Sequence, residues 1–156
     1  MRGPLILFVG EILPPQRLGL LLQAYHVLVT YMVPGAALAM VGPSPDPGYR
    51  SGLESFVREL SLFQAWFPGV VTSRQRAAFF RAATVFVTLS DDDGARVALG
   101  DAMAFGVPAL ARDVAGIREA VPGGGLLLPE ESGPLLIAEA LSRLLAPDTA
   151  DPGTGR

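Results

Sequence analysis

A chain of 156 residues, half of them hydrophobic and only 17% charged, is too apolar for disorder and is sized for one domain with strands buried on both faces. Its net charge of −3 supplies no field that would gather nucleic acid. All 12 basic residues are arginine and no cysteine is present, which excludes a Schiff-base or Walker-type lysine, disulfides, thiolate metal sites and cysteine nucleophiles.

Met1-Arg2-Gly3-Pro4 opens no signal-peptide pattern. Leu5 to Val9 is a continuous apolar run ending at Gly10, the mark of a strand buried on both faces. Leu18 to Val33 is the most apolar window. It is shorter than a bilayer span, contains Gln23 and His26, and carries Leu21, Leu22, Tyr25, Leu28, Val29 and Met32 at helical spacing. A helix stopped by Pro34-Gly35 is expected, with no membrane span and a cytoplasmic location. Ala36 to Val41 predicts a second buried strand, and Pro43 to Gly48 a loop on its turn residues. Ser51 to Phe63 predicts a helix with Leu53, Phe56, Val57 and Leu60 on one face, and Trp66 to Val71 a weaker strand broken by Pro68.

Ser73 is placed to cap a third helix running to Ala83. Thr84 to Leu89 is a strong strand. The polar turn Ser90-Asp91-Asp92-Asp93-Gly94 leads into a helix around Val97 to Phe105, with Gly106 where a terminating glycine belongs. Pro108 to Ala111 and Leu126 to Leu128 predict the last strands, and Pro134 to Leu145 the last helix. The stretch 147–156, rich in Pro, Gly, Asp and Thr, is expected to be a disordered tail after a domain of residues 1–146. Strands alternating with helices predict an α/β, Rossmann-like three-layer α/β/α fold on a mainly parallel six-stranded sheet. The four central strands are those beginning at Leu5, Ala36, Thr84 and Pro108.

In such sheets ligands lie beyond the carboxyl ends of the strands, so the loops after Gly10, Gly42, Val71, Ser90 and Arg112 form the expected rim. Asp93 and Asp101 stand eight apart, about 12 Å along a continuous helix, too far for one carboxylate dyad but suited to two ends of an extended ligand. On residue types alone, Asp91 to Asp93 serve equally as N-cap and dipole partners of the helix, with Asp101 solvated. Arg112 and Asp113 read as a surface pair. Glu119 reads either as a helix-dipole acid or as a ligand contact. His26 lies remote from the rim, and Trp66 belongs to core or sheet edge.

The run from Ser90 through Asp93-Gly94 to Asp101-Ala102-Met103-Ala104-Phe105-Gly106-Val107-Pro108 resembles the signature of GT-B glycosyltransferases of the family-four type, in their C-terminal, donor-binding domain. The two family glutamates fall on Asp93 and Asp101. Further stretches fall in register: Phe8-Val9-Gly10, Leu22 to Tyr25, Val41-Gly42, Gly69 to Val71, Gly116 to Val121 and Gly125 to Pro129. The resemblance implies a domain that binds a nucleoside-diphosphate sugar, with no resident metal or cofactor, for transfer of a hexosyl group. Asp93 would face the donor sugar as the catalytic carboxylate. Asp101 would accept the ribose hydroxyls, as an ionised carboxylate does for vicinal diols. Backbone N–H groups over Gly94, Ala95, Arg96 and Val97 would meet the diphosphate, with Gly10, Arg17 and Glu119 beside them.

The chain departs from that pattern at the phosphate end. The family's arginine falls on Glu11 and its lysine on Gln16; Arg17 lies one residue on, and the family's Phe-Gly is Ala95-Arg96. The acceptor domain is missing from the sequence, so activity alone is not expected; an acceptor-domain chain or self-association across an apolar patch is. Two further readings are a degenerate copy acting as an interaction module, and a GT-A-like metal site at Asp91-x-Asp93.

Overall fold

The computed structural model describes residues 3–90, 92–114, 116–121 and 125–146. Six strands form one parallel sheet: β1 (Leu5–Val9), β2 (Ala37–Val41), β3 (Ala65–Gly69), β4 (Val85–Thr88), β5 (Ala109–Arg112) and β6 (Leu126–Leu128). Their order is β3-β2-β1-β4-β5-β6, and every pairing is parallel. The four strands expected at the centre occupy it. Five helices complete the fold: α1 (Leu18–Tyr31), α2 (Pro47–Glu59), α3 (Ser73–Ala82), α4 (Asp93–Ala104) and α5 (Pro134–Leu145). This is the Rossmann-like three-layer arrangement. Residues 147–156, expected as a tail, lie outside the described residues.

The strands read as unbroken apolar runs because alternate side chains enter two different cores. Ile6, Phe8, Leu38, Met40, Val85 and Val87 meet the apolar faces of α1 and α5. Leu5, Leu7, Ala37, Ala39 and Phe86 turn to the other side, against Phe80 of α3 and Ala95, Ala98, Leu99 and Ala102 of α4. Phe80 is fully buried and stacks on Phe86 and Phe105, with ring centroids at 5.9 and 5.4 Å. On the α1 face of the sheet, the Tyr25 hydroxyl donates to the Ala36 carbonyl at 2.7 Å, and burial pushes the phenol up to about 12. No helix among the described residues is long and apolar enough to cross a membrane.

Three helix starts differ from the sequence reading, each for a local reason. Helix α2 begins at Pro47, four residues early, because Asp46 caps it through Oδ1, which accepts from Tyr49 N, while Pro47 fills the first helical position. It ends early at Glu59: Ser61 adopts φ 55°, and its N–H and that of Leu62 close back on the Arg58 and Val57 carbonyls. Helix α3 is capped by Thr72, not Ser73. Thr72 has Gln75 three residues on, and the two exchange both bonds of a capping box. Helix α4 begins at Asp93 rather than near Val97, with Asp92 as its cap. Its end is as expected, with Gly106 at φ 74°.

Strand β3 is the irregular member. Pro68 removes one ladder donor, its register against β2 shifts between Ala39 and Val41, and Gly69 turns it off at φ 84°. Val70 and Val71 therefore leave the sheet for the rim.

Candidate functional site

The strand order reverses between β1 and β4, so the loops that follow them diverge and open the crevice where ligands of open α/β sheets sit. The loop after β1 runs through Gly10 to a 3-10 turn at Pro14–Gln16 and reaches α1 at Arg17, held at φ 57°. Gly10 donates to the Val41 carbonyl at 2.9 Å, and a methyl group on Gly42 would collide with the Gly10 carbonyl oxygen. The two glycines thus let β1 and β2 converge at their ends.

Opposite this loop, the start of α4 is already capped by the chain itself. Asp92 Oδ1 accepts from Ala95 N at 2.8 Å, and Asp92 N donates to Ser90 Oγ at 3.1 Å. Buried Gln16 crosses the crevice and donates from Nε2 to Asp92 Oδ2 at 3.2 Å. Of the N–H groups expected to meet the diphosphate, that of Ala95 is taken by the Asp92 carboxylate, and that of Val97 lies within the helical ladder. Among the described residues, the N–H groups of Asp93 and Gly94 have no partner at this end. The Asp93 side chain is 89% exposed and pairs with Arg96 one turn on. Arg96 also reaches the loop after β5, where a Cβ on Gly116 would stand 2.7 Å from its Nη1. Glu119 Oε1 accepts from Gly116 N at 3.2 Å, so it closes its own turn. Asp91 lies outside the described residues. Among those described, no cluster of three His, Cys, Asp or Glu residues could hold a metal.

A second feature lies between the ends of β1, β2 and β3. A cavity of about 260 Å³ has Val9, Gly10, Glu11, Val70, Val71 and Arg76 among its walls. That is just under the ~300 Å³ at the small end of whole-ligand sites, so it suits one ring rather than an entire nucleotide sugar. At its edge Arg76 of α3 forms an ion pair with Asp101 of α4, Nη2 to Oδ2, at 2.8 Å. Asp93 and Asp101 sit more than two turns apart on one continuous helix, as their spacing requires.

Residues 3–147 match the family of Glycosyl transferases group 1. The chain belongs to that family. It is 32% identical over 155 residues to a D-inositol 3-phosphate glycosyltransferase of Frankia alni, a match that takes in 92% of this chain and 37% of the relative. The chain therefore spans little more than a third of the curated relative that it matches. Among solved structures, the C-terminal domain of a group 1 family glycosyl transferase from Francisella tularensis superposes with a TM-score of 0.81, at 22% identity. That match covers 93% of this chain and 76% of the other. A TarM point mutant from S. aureus, crystallised with Fondaparinux, alpha-GlcNAc-glycerol and UDP, gives a TM-score of 0.82 at 16% identity, covering 94% of this chain and 29% of that one. The GT-B C-terminal domain inferred from the sequence is thereby the fold observed.

Within this group 1 glycosyl transferase domain, three residues matter that the sequence reading did not place. Asp92 was one of three candidate caps, and only the helix start selects it. Arg76 pairs across two helices, a contact that no local pattern announces, although its spacing from Phe80 does put it on the inward side of α3. Arg112, expected in a surface pair with Asp113, is instead 5% exposed. Its Nη1 donates to the Leu89 carbonyl at 3.0 Å and its Nε to the Glu130 carbonyl at 3.2 Å, while Asp113 pairs with Arg118. The Leu89 carbonyl emerges from the end of β4 without a ladder partner, and the arginine satisfies it. Arg17, by contrast, is exposed and makes no side-chain bond among the described residues. His26 sits on α1, away from the rim, with Nδ1 buried and unpartnered.

Exposed large apolar side chains along the rim are Val70, Val97, Leu135 and Leu136. Val70 follows β3 and the two leucines follow β6, at opposite ends of the sheet, so they are spread along the rim rather than gathered.

Proposed function

We propose that this domain is the donor-binding half of a hexosyl-transferring glycosyltransferase. The observation that carries this is the single-ring cavity at the ends of β1 to β3, whose wall residue Arg76 pairs with the carboxylate of Asp101. A base enters the cavity and the ribose diol meets Asp101. The phosphates extend toward the open N–H groups of Asp93 and Gly94, where Arg96 supplies positive charge. Asp93, exposed at the rim, faces the donor sugar. Several solved structures that share the fold hold UDP, including a TarM mutant and a pneumococcal O-GlcNAc transferase, GtfA, which supports a nucleotide ligand for it. The chain spans 37% of the Frankia alni relative, and in a whole enzyme an acceptor half would face this rim across a cleft. Calorimetric titration with uridine, guanosine and adenosine diphosphates and their glucose conjugates tests the reading. One of them should bind, and Asp101→Ala should weaken it at least about tenfold, the loss of a charge-assisted hydrogen bond.

A second reading follows from Asp92. Its carboxylate occupies a helix N-terminal donor that a phosphate would otherwise take, and a second carboxylate, Glu11, lines the cavity. A domain so arranged acts as a binding module that has lost its donor. Silence with every nucleotide selects it.

A further inference from the structure

The ion pair between Arg76 and Asp101 is poorly placed to stabilise the fold. Both side chains are about a third exposed, at 34% and 38%, and a pair this wet contributes little. Its geometry is nonetheless fixed from beneath. The Arg76 guanidinium lies over the Phe80 ring at 5.0 Å from the centroid, and Phe80 is itself fully buried and stacked between Phe86 and Phe105. Arg76 also walls the cavity. One rigid column thus runs from the core through Phe80 and Arg76 to a single oxygen of Asp101. The other oxygen, Oδ1, has no partner among the described residues.

We propose that Arg76 is a positioning residue for nucleotide recognition: by holding Oδ2 of Asp101 it presents Oδ1 to the ribose hydroxyls at the mouth of the ring cavity, and so confers preference for ribose over deoxyribose. This rests on the donor-binding reading above. A carboxylate left alone rotates about its terminal torsion and meets a diol in few of its orientations; one oxygen anchored to a planar guanidinium leaves the second aimed. A site built to bond a hydroxyl discriminates against the analogue lacking it, because its polar groups are then left unpaired.

The experiment compares wild type, Arg76→Leu, Arg76→Lys and Asp101→Ala by calorimetry, using uridine, guanosine and adenosine diphosphates and then the 2′-deoxy counterpart of the tightest. Urea unfolding of each variant establishes that it is folded. Wild type should prefer the ribonucleotide by about tenfold or more, the scale of one hydrogen bond to a charged group. Asp101→Ala and Arg76→Leu should each bring the ratio near unity, and Arg76→Lys, which keeps the charge but not the plane held over Phe80, should retain only part of it. An unchanged ratio in Arg76→Leu with a collapsed ratio in Asp101→Ala overturns this inference and leaves the donor-binding reading standing. Tighter ribonucleotide binding by Arg76→Leu also overturns it, since Arg76 would then be competing with the ligand. Wild type that binds none of the three nucleotides overturns both.

Discussion

Replacing Arg112 with methionine isolates what a buried guanidinium does beneath the rim. Methionine keeps an aliphatic stem of similar reach, so packing is largely preserved and the hydrogen bonds are removed. Two acceptors lose their donor, and they are not equivalent. The Leu89 carbonyl lies among buried residues at the end of β4 and gains no water, which costs about 1–3 kcal/mol. Glu130 is at the surface, its side chain 65% exposed, so its carbonyl and carboxylate are rehydrated at little cost. The expected loss is therefore about 2 kcal/mol, set by one carbonyl. In a domain of this size that lowers Tm by roughly 4–8 °C. Urea unfolding should show a lower midpoint at unchanged slope, and Glu130→Gln, measured alongside, should lose less than about 1 kcal/mol. A methionine variant as stable as wild type, or a glutamine variant that loses as much as the methionine one, would refute the assignment of the energy to the Leu89 carbonyl.

Asp92→Ala removes the α4 cap and should cost about 1 kcal/mol in urea unfolding, whereas Asp92→Asn, which can still accept from Ala95 N, should cost only a few tenths. By removing a negative charge from the crevice, the same asparagine variant should bind a nucleoside diphosphate more tightly in calorimetry without gaining for the bare nucleoside. Tyr25 sets an alkaline limit. Its phenol titrates near 10 when unfolded and near 12 when buried, so the folded state holds the proton to higher pH. Its contribution is complete below pH 10 and falls as pH rises from 10 to 12, by an order of 2 kcal/mol. Tyr25→Phe should flatten that slope in unfolding curves at pH 9 to 11, at the cost of the Ala36 hydrogen bond.

The fold was legible because its strands are buried on both faces: Ile6 and Leu7 enter different cores, so the sequence carries an unbroken apolar run instead of an alternation. Helix starts were less legible, since several residues of equal capping chemistry lie side by side. Ser73 and Thr72 are separated only by which has a glutamine three residues on, and Asp46-Pro47 reads as a turn until a helix follows it. At the site, Asp93 and Asp101 could be found from their spacing. Arg76 could not, because its partner is on another helix and its platform, Phe80, is fixed by tertiary stacking. Arg112 was misread for a related reason: its position at a strand end implies solvent, and only the bare carbonyl of Leu89 explains why an arginine is drawn inward.

The two lateral margins of the sheet carry a consequence for assembly. On one side β3 offers Pro68, a shifted register and a glycine exit within five residues; on the other, β6 is three residues long. Among the described residues, neither presents a run of free main-chain groups long enough to template a strand from another molecule. Sheet extension, the cheapest route by which α/β domains aggregate or trade strands, is closed at both borders. Any partner must instead be recognised through side chains on the helices or along the rim, where a single substitution can alter the choice of partner without touching the sheet.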